Sequence, residues 1–351
     1  MEITQVPWGF TPEGEVVLLY TLTATSGASV SVTNLGAALV SVCVPDRTGR
    51  LADVVLGYAD WKSYLGDGPF MGKSVGRYAN RIGGARFTLD GTEHLLAPNE
   101  RGNQLHGGAA TLANRIWEAR VEGDNRVVFS VESPDGDGGY PGNLVAEAAY
   151  HWSDEGELEI VYSAECDAPT VVNFTNHSYF NLGGEASGSV LGHTLTLRAS
   201  NFVPTRPDNI PTGEIWPVEG TPMDFRTAKT LGKDIDSDYP QLTDAAGYDR
   251  CWAIDGWRRN ILGEAGRLTD PVSGRCMTIL TSQPGVQLYT GNFLQGSPVG
   301  KSGRPYSNRD GVALECQGFP DAPNHPNFPS QVLRPGQRYI QKIVYIFGIS
   351  Q

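Results

Sequence analysis

The stretch LVAEAAYHWSDEGELEIVYS, residues 144–163, contains two short segments with the alternating pattern of β-strands, Leu144–Trp152 and Leu158–Ser163. In each segment apolar and aromatic side chains recur with a period near two, which sends alternate side chains to opposite faces of a sheet. Segments of the same kind recur along the chain: Val16–Leu22, Ser29–Val44, Val127–Val131, Thr194–Leu197, Met277–Thr281, Val286–Tyr289 and Tyr339–Phe347. The pattern therefore predicts many short strands.

The segments between these strands favour turns. The chain has 43 Gly and 23 Pro, and they cluster in stretches such as Pro134–Gly139 and Leu333–Gln337, whose composition is typical of turns. Only Asp60–Leu65 is expected to be helical, and no long helices alternate with strands, which argues against a doubly wound parallel sheet. The sequence contains no repeat and no linker. It thus predicts an all-β protein, a large antiparallel β-sandwich formed as a single domain by residues 1–351.

The composition excludes several classes of function. Of the 351 residues 40% are hydrophobic and 19% are charged, which is enough apolar material for a large core and too much for a disordered chain. The net charge is −12 and no block of Lys and Arg occurs, so the basic surface that binds nucleic acid or an anionic membrane is missing. A neutral small molecule is the partner that fits this charge.

Two features favour a cytoplasmic location. The five cysteines are odd in number, scattered and without CxxC spacing, as is typical of free thiols in a reducing compartment. The first residues contain no basic region followed by an apolar run, and no stretch approaches about 18 consecutive apolar residues. We therefore expect a cytoplasmic protein with neither an export signal nor a membrane anchor.

The sequence gives no support for metal, nucleotide or covalent chemistry. Gly72-Lys73-Ser74 resembles the end of a phosphate-binding P-loop, but five residues before Gly72 stands Asp67 where that motif needs glycine. The six histidines form no HxxxH or HExxH pair, so no metal site is expected. We likewise expect no cofactor and no serine or cysteine nucleophile.

Three strings are unusually rich in specific polar residues: 76–82 (GRYANRI), 103–108 (NQLHGG) and 173–182 (NFTNHSYFNL). Taken singly, His106 and His177 could each be a structural histidine. The glycines that follow His106 favour a ligand site, because they permit a close approach of ligand or backbone. Glu315 follows the apolar run Val312-Ala313-Leu314, where a buried carboxylate is costly unless it has a function.

These strings resemble those of the aldose 1-epimerases, also called galactose mutarotases, from about Gly76 to the end of the chain. Further strings agree with that family: Ser133–Gly136, Gly139–Gly142, Pro211–Ile215, Gly247–Asp249, Pro284–Asn292 and Phe319–Pro329. The resemblance implies an enzyme without cofactor or metal, built on a galactose mutarotase-like supersandwich. It further implies the reaction, which is interconversion of the α and β anomers of a free hexose such as galactose or glucose.

The resemblance also implies roles for individual residues. His177 matches the general acid of the family and Glu315 matches its general base. The positions that match or adjoin substrate-binding residues are Asn80, Arg81, His106, Tyr179, Asp249 and Gln287. Tyr179, like Phe293, either faces the sugar or packs in the core. Arg250 departs from the family, in which His often follows this Asp, so the orientation of Asp249 is left open.

The reaction sets requirements for the catalytic pair. A base must remove the proton of the anomeric hydroxyl while an acid protonates the ring oxygen, and histidine, with a reference pKa of about 6.5, suits the acid. By analogy with the carboxylates that flank a glycosidic carbon, we expect His177 and Glu315 to face each other across roughly 5–9 Å. We expect both in one cleft that opens to solvent.

Two rival functions are disfavoured. A hexose-6-phosphate mutarotase would need a cationic cluster beyond Arg81, which the sequence lacks, and a carbohydrate-binding module would have no need for both His177 and Glu315. The sequence does not distinguish galactose, glucose, xylose and arabinose as the preferred sugar. It also leaves open whether the protein is a monomer or a homodimer.

Overall fold

The structure, a computed structural model, describes residues 1–350 and consists largely of antiparallel β-sheet. Its first layer is a nine-stranded sheet in which neighbouring strands are antiparallel throughout. In spatial order its strands are Glu118–Glu122, Arg126–Ser133, Leu144–Trp152, Glu157–Cys166, Tyr339–Ile349, Arg275–Thr281, Gly263–Thr269, Thr194–Leu197 and Lys229–Thr230. The stretch 144–163 thus supplies two central, adjacent strands.

Two smaller sheets form the second layer. The N-terminal sheet contains, in order, Glu2–Phe10, Val16–Thr23, Ser29–Thr33, Ala38–Pro45 and Leu51–Asp53. The six-stranded sheet contains, in order, Tyr179–Phe180, Val312–Gln317, Gly285–Tyr289, Asp249–Ala253, Asn201–Val203 and Trp216–Pro217. The two sheets meet edge to edge, because Val55 forms an antiparallel bridge with Phe180. The predicted all-β antiparallel sandwich is confirmed.

Short elements complete the chain. Four two-stranded ribbons pair Arg81–Ile82 with Gln104–Leu105, Ser74–Val75 with Thr175–Asn176, Arg86–Leu89 with Thr92–Leu95, and Thr170–Val171 with Val332–Leu333. One α-helical turn spans Pro240–Thr243. The 3₁₀ turns are Trp61–Tyr64, Gly83–Ala85, Gly108–Ala110, Leu112–Asn114, Asp137–Gly139, Val190–Gly192 and Ala322–Asn324.

The helical content differs from the prediction. The expected helix at Asp60–Leu65 is present as the 3₁₀ turn Trp61–Tyr64, capped where Ser63 N donates to Asp60 Oδ1 at 3.1 Å. The expectation that no other segment is helical was wrong. The additional turns are three or four residues long, which is too short to leave an amphipathic period in the sequence.

The segment Ser29–Val44, predicted as one strand, is two strands joined by a tight turn. Gly36 and Ala37 both have left-handed backbone, with φ of 66° and 42°. A Cβ on Gly36 would lie 2.1 Å from the carbonyl oxygen of Ala113, so the chain passes too close here for any side chain. The apolar pattern runs through this turn because the turn is buried.

One cluster of buried apolar side chains lies between the two layers and includes residues from Tyr20 to Phe347. This shared core supports a single domain over residues 1–351, which stays a prediction. On the strand Val312–Gln317, alternate residues Val312, Leu314 and Cys316 point into this core. Ala313, Glu315 and Gln317 therefore point to the opposite face of the six-stranded sheet, where the site lies.

Candidate active site

The outer face of the six-stranded sheet brings three predicted site residues together. Gln287 lies opposite Glu315 on the neighbouring strand. On the other side, Asp249 lies opposite Tyr289, which follows Gln287 by two residues on the same strand. Because side chains two apart on a strand share a face, these groups form one polar patch. The sequence places them there through the same alternation that buries Leu288 and Leu314.

His177 reaches this patch from the connection between the strands Thr175–Asn176 and Tyr179–Phe180. Its backbone is fixed on both sides: Gly72 N donates to His177 O at 3.0 Å, and His177 N donates to Lys73 O at 2.9 Å. His177 Nε2 lies 3.6 Å from Glu315 Oε1, and the two residues are 4% and 2% exposed. His177 Nδ1 and Glu315 Oε2 are buried without a hydrogen-bond partner.

The predicted gap between these side chains was wrong. The expectation was roughly 5–9 Å, and the closest atoms are 3.6 Å apart. The analogy fails for a chemical reason. A glycosidase places a nucleophile or water opposite the leaving group, whereas the ring opening that the resemblance implies needs its two proton transfers at oxygens bonded to the same carbon. An acid and a base that serve those two oxygens can lie side by side.

Asn80 and His106 are held against each other by backbone bonds. Asn80 N donates to His106 Nδ1 at 3.1 Å, and His106 N donates to Asn80 O at 3.0 Å. Both residues have left-handed backbone, with φ of 65° and 53°. Because Nδ1 of His106 accepts a hydrogen bond, the proton of the neutral ring is assigned to Nε2, and His106 is a hydrogen-bond donor at that atom.

Arg81 is oriented by a carboxylate that the sequence analysis missed. Its guanidinium donates two hydrogen bonds to Glu100, at 2.6 Å and 2.8 Å, and its Nη1 lies 3.9 Å from Asp249 Oδ2. Glu100 lies in a loop outside the matching strings, and no residue pattern in the sequence predicts its pairing with Arg81. The bidentate geometry is the strong form of an Arg–carboxylate contact.

Gln287 lies next to the cavity and does not line it. Its Nε2 donates to Asp249 Oδ1 at 2.6 Å, while its Oε1 is buried without a partner. The neighbouring Arg250 turns away from the Asp249 carboxylate. Its guanidinium donates to Gln241 Oε1, to Asn209 Oδ1 and to the backbone oxygen of Asp249 at 2.8, 3.2 and 2.6 Å. Asp249 is thus oriented by Gln287 and Arg81.

The aromatic residues differ in what they contact. Tyr179 is 2% exposed and donates its hydroxyl to Pro69 O at 3.0 Å, so this hydroxyl holds a loop. Phe293 is 67% exposed at the rim. Phe70 and Tyr289, to which the sequence analysis gave no role, lie with ring centroids 6.3 Å and 6.5 Å from that of His177.

These residues surround an open cavity of about 760 Å³. Of the eight predicted site residues, seven line it: Asn80, Arg81, His106, His177, Tyr179, Asp249 and Glu315. Gln287 instead borders a small adjoining space. The acidic residues of the lining outnumber the two arginines: Asp67, Glu100, Asp244, Asp249 and Glu315 against Arg81 and Arg101.

Burial shifts the pKa of each central group toward its neutral form. Desolvation lowers the pKa of His177 to about 4, although the nearby Asp249 carboxylate acts in the opposite direction. Desolvation, with the neighbouring His177 and Arg81, holds the pKa of His106 well below its usual value. Desolvation and the Asp249 carboxylate raise the pKa of Glu315 well above its usual range, against the influence of Arg81.

The geometry argues against two other chemistries, metal binding and a serine nucleophile. Ligand atoms of His106, His177 and Glu315 lie within 4.8 Å of one another, but Nε2 of His106 carries a proton and has no lone pair for a metal. Residues 72–76 have the GxSxG spacing of serine hydrolases, which the sequence analysis overlooked. Ser74 Oγ is fully buried and bonded to Ala37 O, so it is no nucleophile.

Similarity to solved structures defines the class. A galactose 1-epimerase from Lactobacillus acidophilus NCFM superposes with a TM-score of 0.86 at 26% identity, covering 100% of both chains. A GalM/aldose epimerase homologue from C. elegans gives a TM-score of 0.86 at 33% identity, covering 94% of this chain and 98% of that one. The chain is thus a galactose mutarotase-like β-sandwich protein.

Sequence comparison defines the family. The aldose 1-epimerase family model matches residues 18–345. The human galactose mutarotase is 41% identical over 321 residues, covering 92% of this chain and 91% of that protein. The aldose 1-epimerase of Escherichia coli (strain K12) is 36% identical over 340 residues, covering 96% of both. This chain belongs to the aldose 1-epimerase family. Within residues 1–350, no helix is long and apolar enough to cross a membrane.

Proposed function

We propose that this aldose 1-epimerase interconverts the α and β anomers of free hexoses with His177 as general acid and Glu315 as general base. The observation that carries the proposal is the pair itself. His177 Nε2 and Glu315 Oε1 lie 3.6 Å apart in a cavity lined by hydrogen-bonding groups, and each side chain has a second buried polar atom without a partner. Sugar hydroxyls are suitable partners for such atoms.

The reaction needs two coupled proton transfers. The Glu315 carboxylate removes the proton of the C1 hydroxyl while His177 gives its proton to the ring oxygen, so that the C1–O5 bond breaks and the C1 carbonyl forms. Rotation about C1–C2 presents the other face of the aldehyde. The reverse transfers close the ring as the other anomer, and both groups return to their first protonation states.

The shifted pKa values favour the protonation state that accompanies the open-chain intermediate. With the closed sugar the working pair is the Glu315 carboxylate and the His177 imidazolium, and after ring opening it is the neutral acid and the neutral imidazole. Burial disfavours both charges, raising the pKa of Glu315 and lowering that of His177. The environment therefore stabilises the proton arrangement that accompanies the open-chain intermediate relative to the closed one.

The remaining groups position the sugar. His106 donates from Nε2, Arg81 donates from its guanidinium, and Asp249 accepts from hydroxyl groups, with Gln287 fixing the orientation of Asp249. Asn80 lines the cavity beside them. A neutral substrate is favoured over a sugar phosphate, because the acidic lining residues outnumber the arginines and Arg81 is already paired with Glu100.

We further propose a cytoplasmic monomer or homodimer whose partner is a monosaccharide, without nucleic acid or membrane. The five cysteines lie within residues 1–350 and form no disulfide there, which supports a reducing compartment. The net charge of −12 supports the exclusion of anionic partners. Size-exclusion chromatography with light scattering would decide between monomer and dimer.

Polarimetry tests the proposed function. Freshly dissolved α-D-glucose and α-D-galactose should approach their equilibrium rotations faster with enzyme than without. Glu315→Gln and His177→Asn should each lower kcat by at least about 100-fold while sugar binding persists, because each removes a proton transfer and keeps the shape. His94→Asn and Glu93→Gln, on the hairpin Arg86–Leu95 away from the cavity, are the controls and should retain full activity. Near-normal rates in either site variant would contradict the assigned roles.

A further inference from the structure

Backbone strain is concentrated around the cavity. Of the twelve residues other than glycine with left-handed backbone, five line it: Phe70, Asn80, Arg101, His106 and Asn209. This conformation costs an ordinary residue on the order of 1 kcal/mol, and Asn and His adopt it more readily than a bulky aromatic residue. Two of the five are large side chains that rarely adopt this backbone, Arg101 at φ 50° and Phe70 at φ 56°, and of these only Phe70 packs against the imidazoles. Strain of this kind persists only where the surrounding structure imposes it, and it often marks a functional position.

The ring of Phe70 covers both imidazoles of the site. Its centroid lies 4.9 Å from that of His106 at an interplanar angle of 55°, and 6.3 Å from that of His177 at 30°. The half-buried ring also packs against the small apolar cluster of Val75, Ala79 and Ala113. The ring, which also lines the cavity, thus lies within aromatic packing distance of both imidazoles and in contact with this cluster.

A buried ion pair holds the backbone that presents this ring. Lys73 Nζ lies 2.5 Å from Asp67 Oδ1, and both side chains are fully buried. Lys73 Nζ also donates to Tyr64 O and Asn114 Oδ1, at 2.6 Å and 2.7 Å. The ion pair joins the two ends of the loop 67–73, which contains Phe70. The backbone of Phe70 is hydrogen-bonded to both ends: Phe70 N donates to Asp67 O, and Lys73 N donates to Phe70 O. Buried ion pairs contribute little net stability but can fix one conformation.

The same loop is joined to the proposed catalytic acid. Gly72 and Lys73 make both backbone hydrogen bonds of His177, and the Tyr179 hydroxyl donates to Pro69 O. A shift of the loop would therefore shift His177 relative to Glu315.

We propose that Phe70 is a positioning residue for mutarotation: its ring holds the imidazoles of His106 and His177 in their working orientation and keeps water from them, and the Asp67–Lys73 ion pair maintains the strained backbone that presents the ring. This inference rests on the acid–base function proposed above. Phe70 takes part in no proton transfer.

Phe70→Gly is the direct test, because glycine adopts the left-handed backbone without strain and the substitution removes only the ring. We expect kcat for α-D-glucose to fall about 10- to 100-fold with a KM change below about 3-fold. The acid limb of kcat/KM should move upward toward the ordinary histidine value of about 6.5, because water reaches His177. A purely structural role would not move that limb.

Asn260→Gly is the matched control. Asn260 is exposed, lies outside the cavity and has the same left-handed backbone at φ 62°, so this variant should keep wild-type kinetics. Circular dichroism would verify that Phe70→Gly is folded. If it is not, Phe70→Asn takes its place, since Asn also tolerates this backbone.

The ion pair is tested by the double variant Asp67→Asn/Lys73→Met, which leaves no unpaired buried charge. Its control is Asp53→Asn/Lys301→Met, which removes a second ion pair, partly rather than fully buried, that does not line the cavity. Only the first should lower kcat and move the acid limb. If wild-type enzyme is inactive, the proposed function fails. If the wild type is active and Phe70→Gly keeps its kcat and acid limb, only the role of Phe70 is refuted.

Discussion

Burial acts in opposite directions on the two groups that we propose exchange protons with the sugar. It lowers the pKa of His177 to about 4 and raises the pKa of Glu315 well above its usual range. Their closest atoms lie 3.6 Å apart, so the protons of the two groups are counted together. In the proposed mechanism the reactive pair holds one proton, on either His177 or Glu315.

The pH profile follows from this proton count. We expect kcat/KM to be bell-shaped, falling as the pH drops through about 4, where the pair gains a second proton, and falling again above the raised pKa of Glu315, where it loses its only one. Initial rates over a broad pH range, corrected for the solvent reaction, would measure both limbs. Recovery of activity at neutral pH is the control for unfolding. An acid limb near the ordinary histidine value would contradict the strong desolvation of His177.

The resemblance to the family identified residues but not distances. It placed seven of its eight candidates on one cavity, since matching strings carry the chemistry of the site. It could not reveal Glu100, which pairs with Arg81 from 19 residues further along the chain, or Phe70, which lies just before the matching region. Side-chain separation depends on how two layers of the fold meet, and for that reason the gap between His177 and Glu315 was predicted wrongly.

The loop Asn103–Gly108 shows how one element supports the site. Gly107 has φ 81°, and a Cβ there would lie 2.6 Å from the carbonyl oxygen of Gly76. The loop therefore passes too close to its neighbour for a side chain, and this contact sets the position of His106 beside it. The glycines singled out in the sequence are required by backbone proximity as well as by conformation.

Gly107→Ala should consequently cost roughly 1–3 kcal/mol of stability and lower kcat/KM by about 10-fold or more, because displacement of the loop breaks the bond between Asn80 N and His106. Gly102→Ala is the matched control. Gly102 has nearly the same φ, 82°, but a Cβ there would meet nothing within 4 Å. It should lose some stability and keep its activity. Equal activity loss in both variants would show that backbone strain alone, and not the contact with Gly76, is responsible.

Strand prediction succeeded where burial is one-sided and failed where a turn is buried. The strands Leu144–Trp152 and Thr194–Leu197 have the predicted bounds because one face meets the core and the other meets solvent or a salt-bridged surface. The turn at Gly36 and Ala37 is apolar because it lies under other chain segments. Local periodicity carries no information about such packing.

The two-layer arrangement explains how so many polar groups are buried in one place. The six-stranded sheet has a core face and a cavity face, and Glu315 sits on the cavity face of one of its central strands. A carboxylate at this depth lacks water, and Arg81 offsets its charge only in part. The fold must therefore supply stability elsewhere, through the core shared by both layers, to keep a site that disfavours its own charged form.

This cost should be measurable as a pH-dependent gain in Glu315→Gln. The Glu315 side chain ionises near 4.5 when the chain is unfolded, and its pKa is raised well above that in the folded protein. Between these two values the folded state holds a proton on Glu315 that the unfolded state has lost, so the contribution of Glu315 to the free energy of unfolding falls as the pH rises. Glutamine does not titrate, and below the raised pKa of Glu315 His177 faces an uncharged neighbour in both proteins, so the contribution of His177 is common to them. The free energy of unfolding of the variant should thus equal that of the wild type near pH 4.5 and exceed it by roughly 1–2 kcal/mol at pH 8.

Urea unfolding at both pH values measures the difference, with Glu13→Gln, which replaces an exposed carboxylate, as the control that should show no gain. A stability difference between Glu315→Gln and the wild type that does not change with pH would mean that Glu315 is charged in the folded enzyme, and that the neutral pair does not form in the empty site.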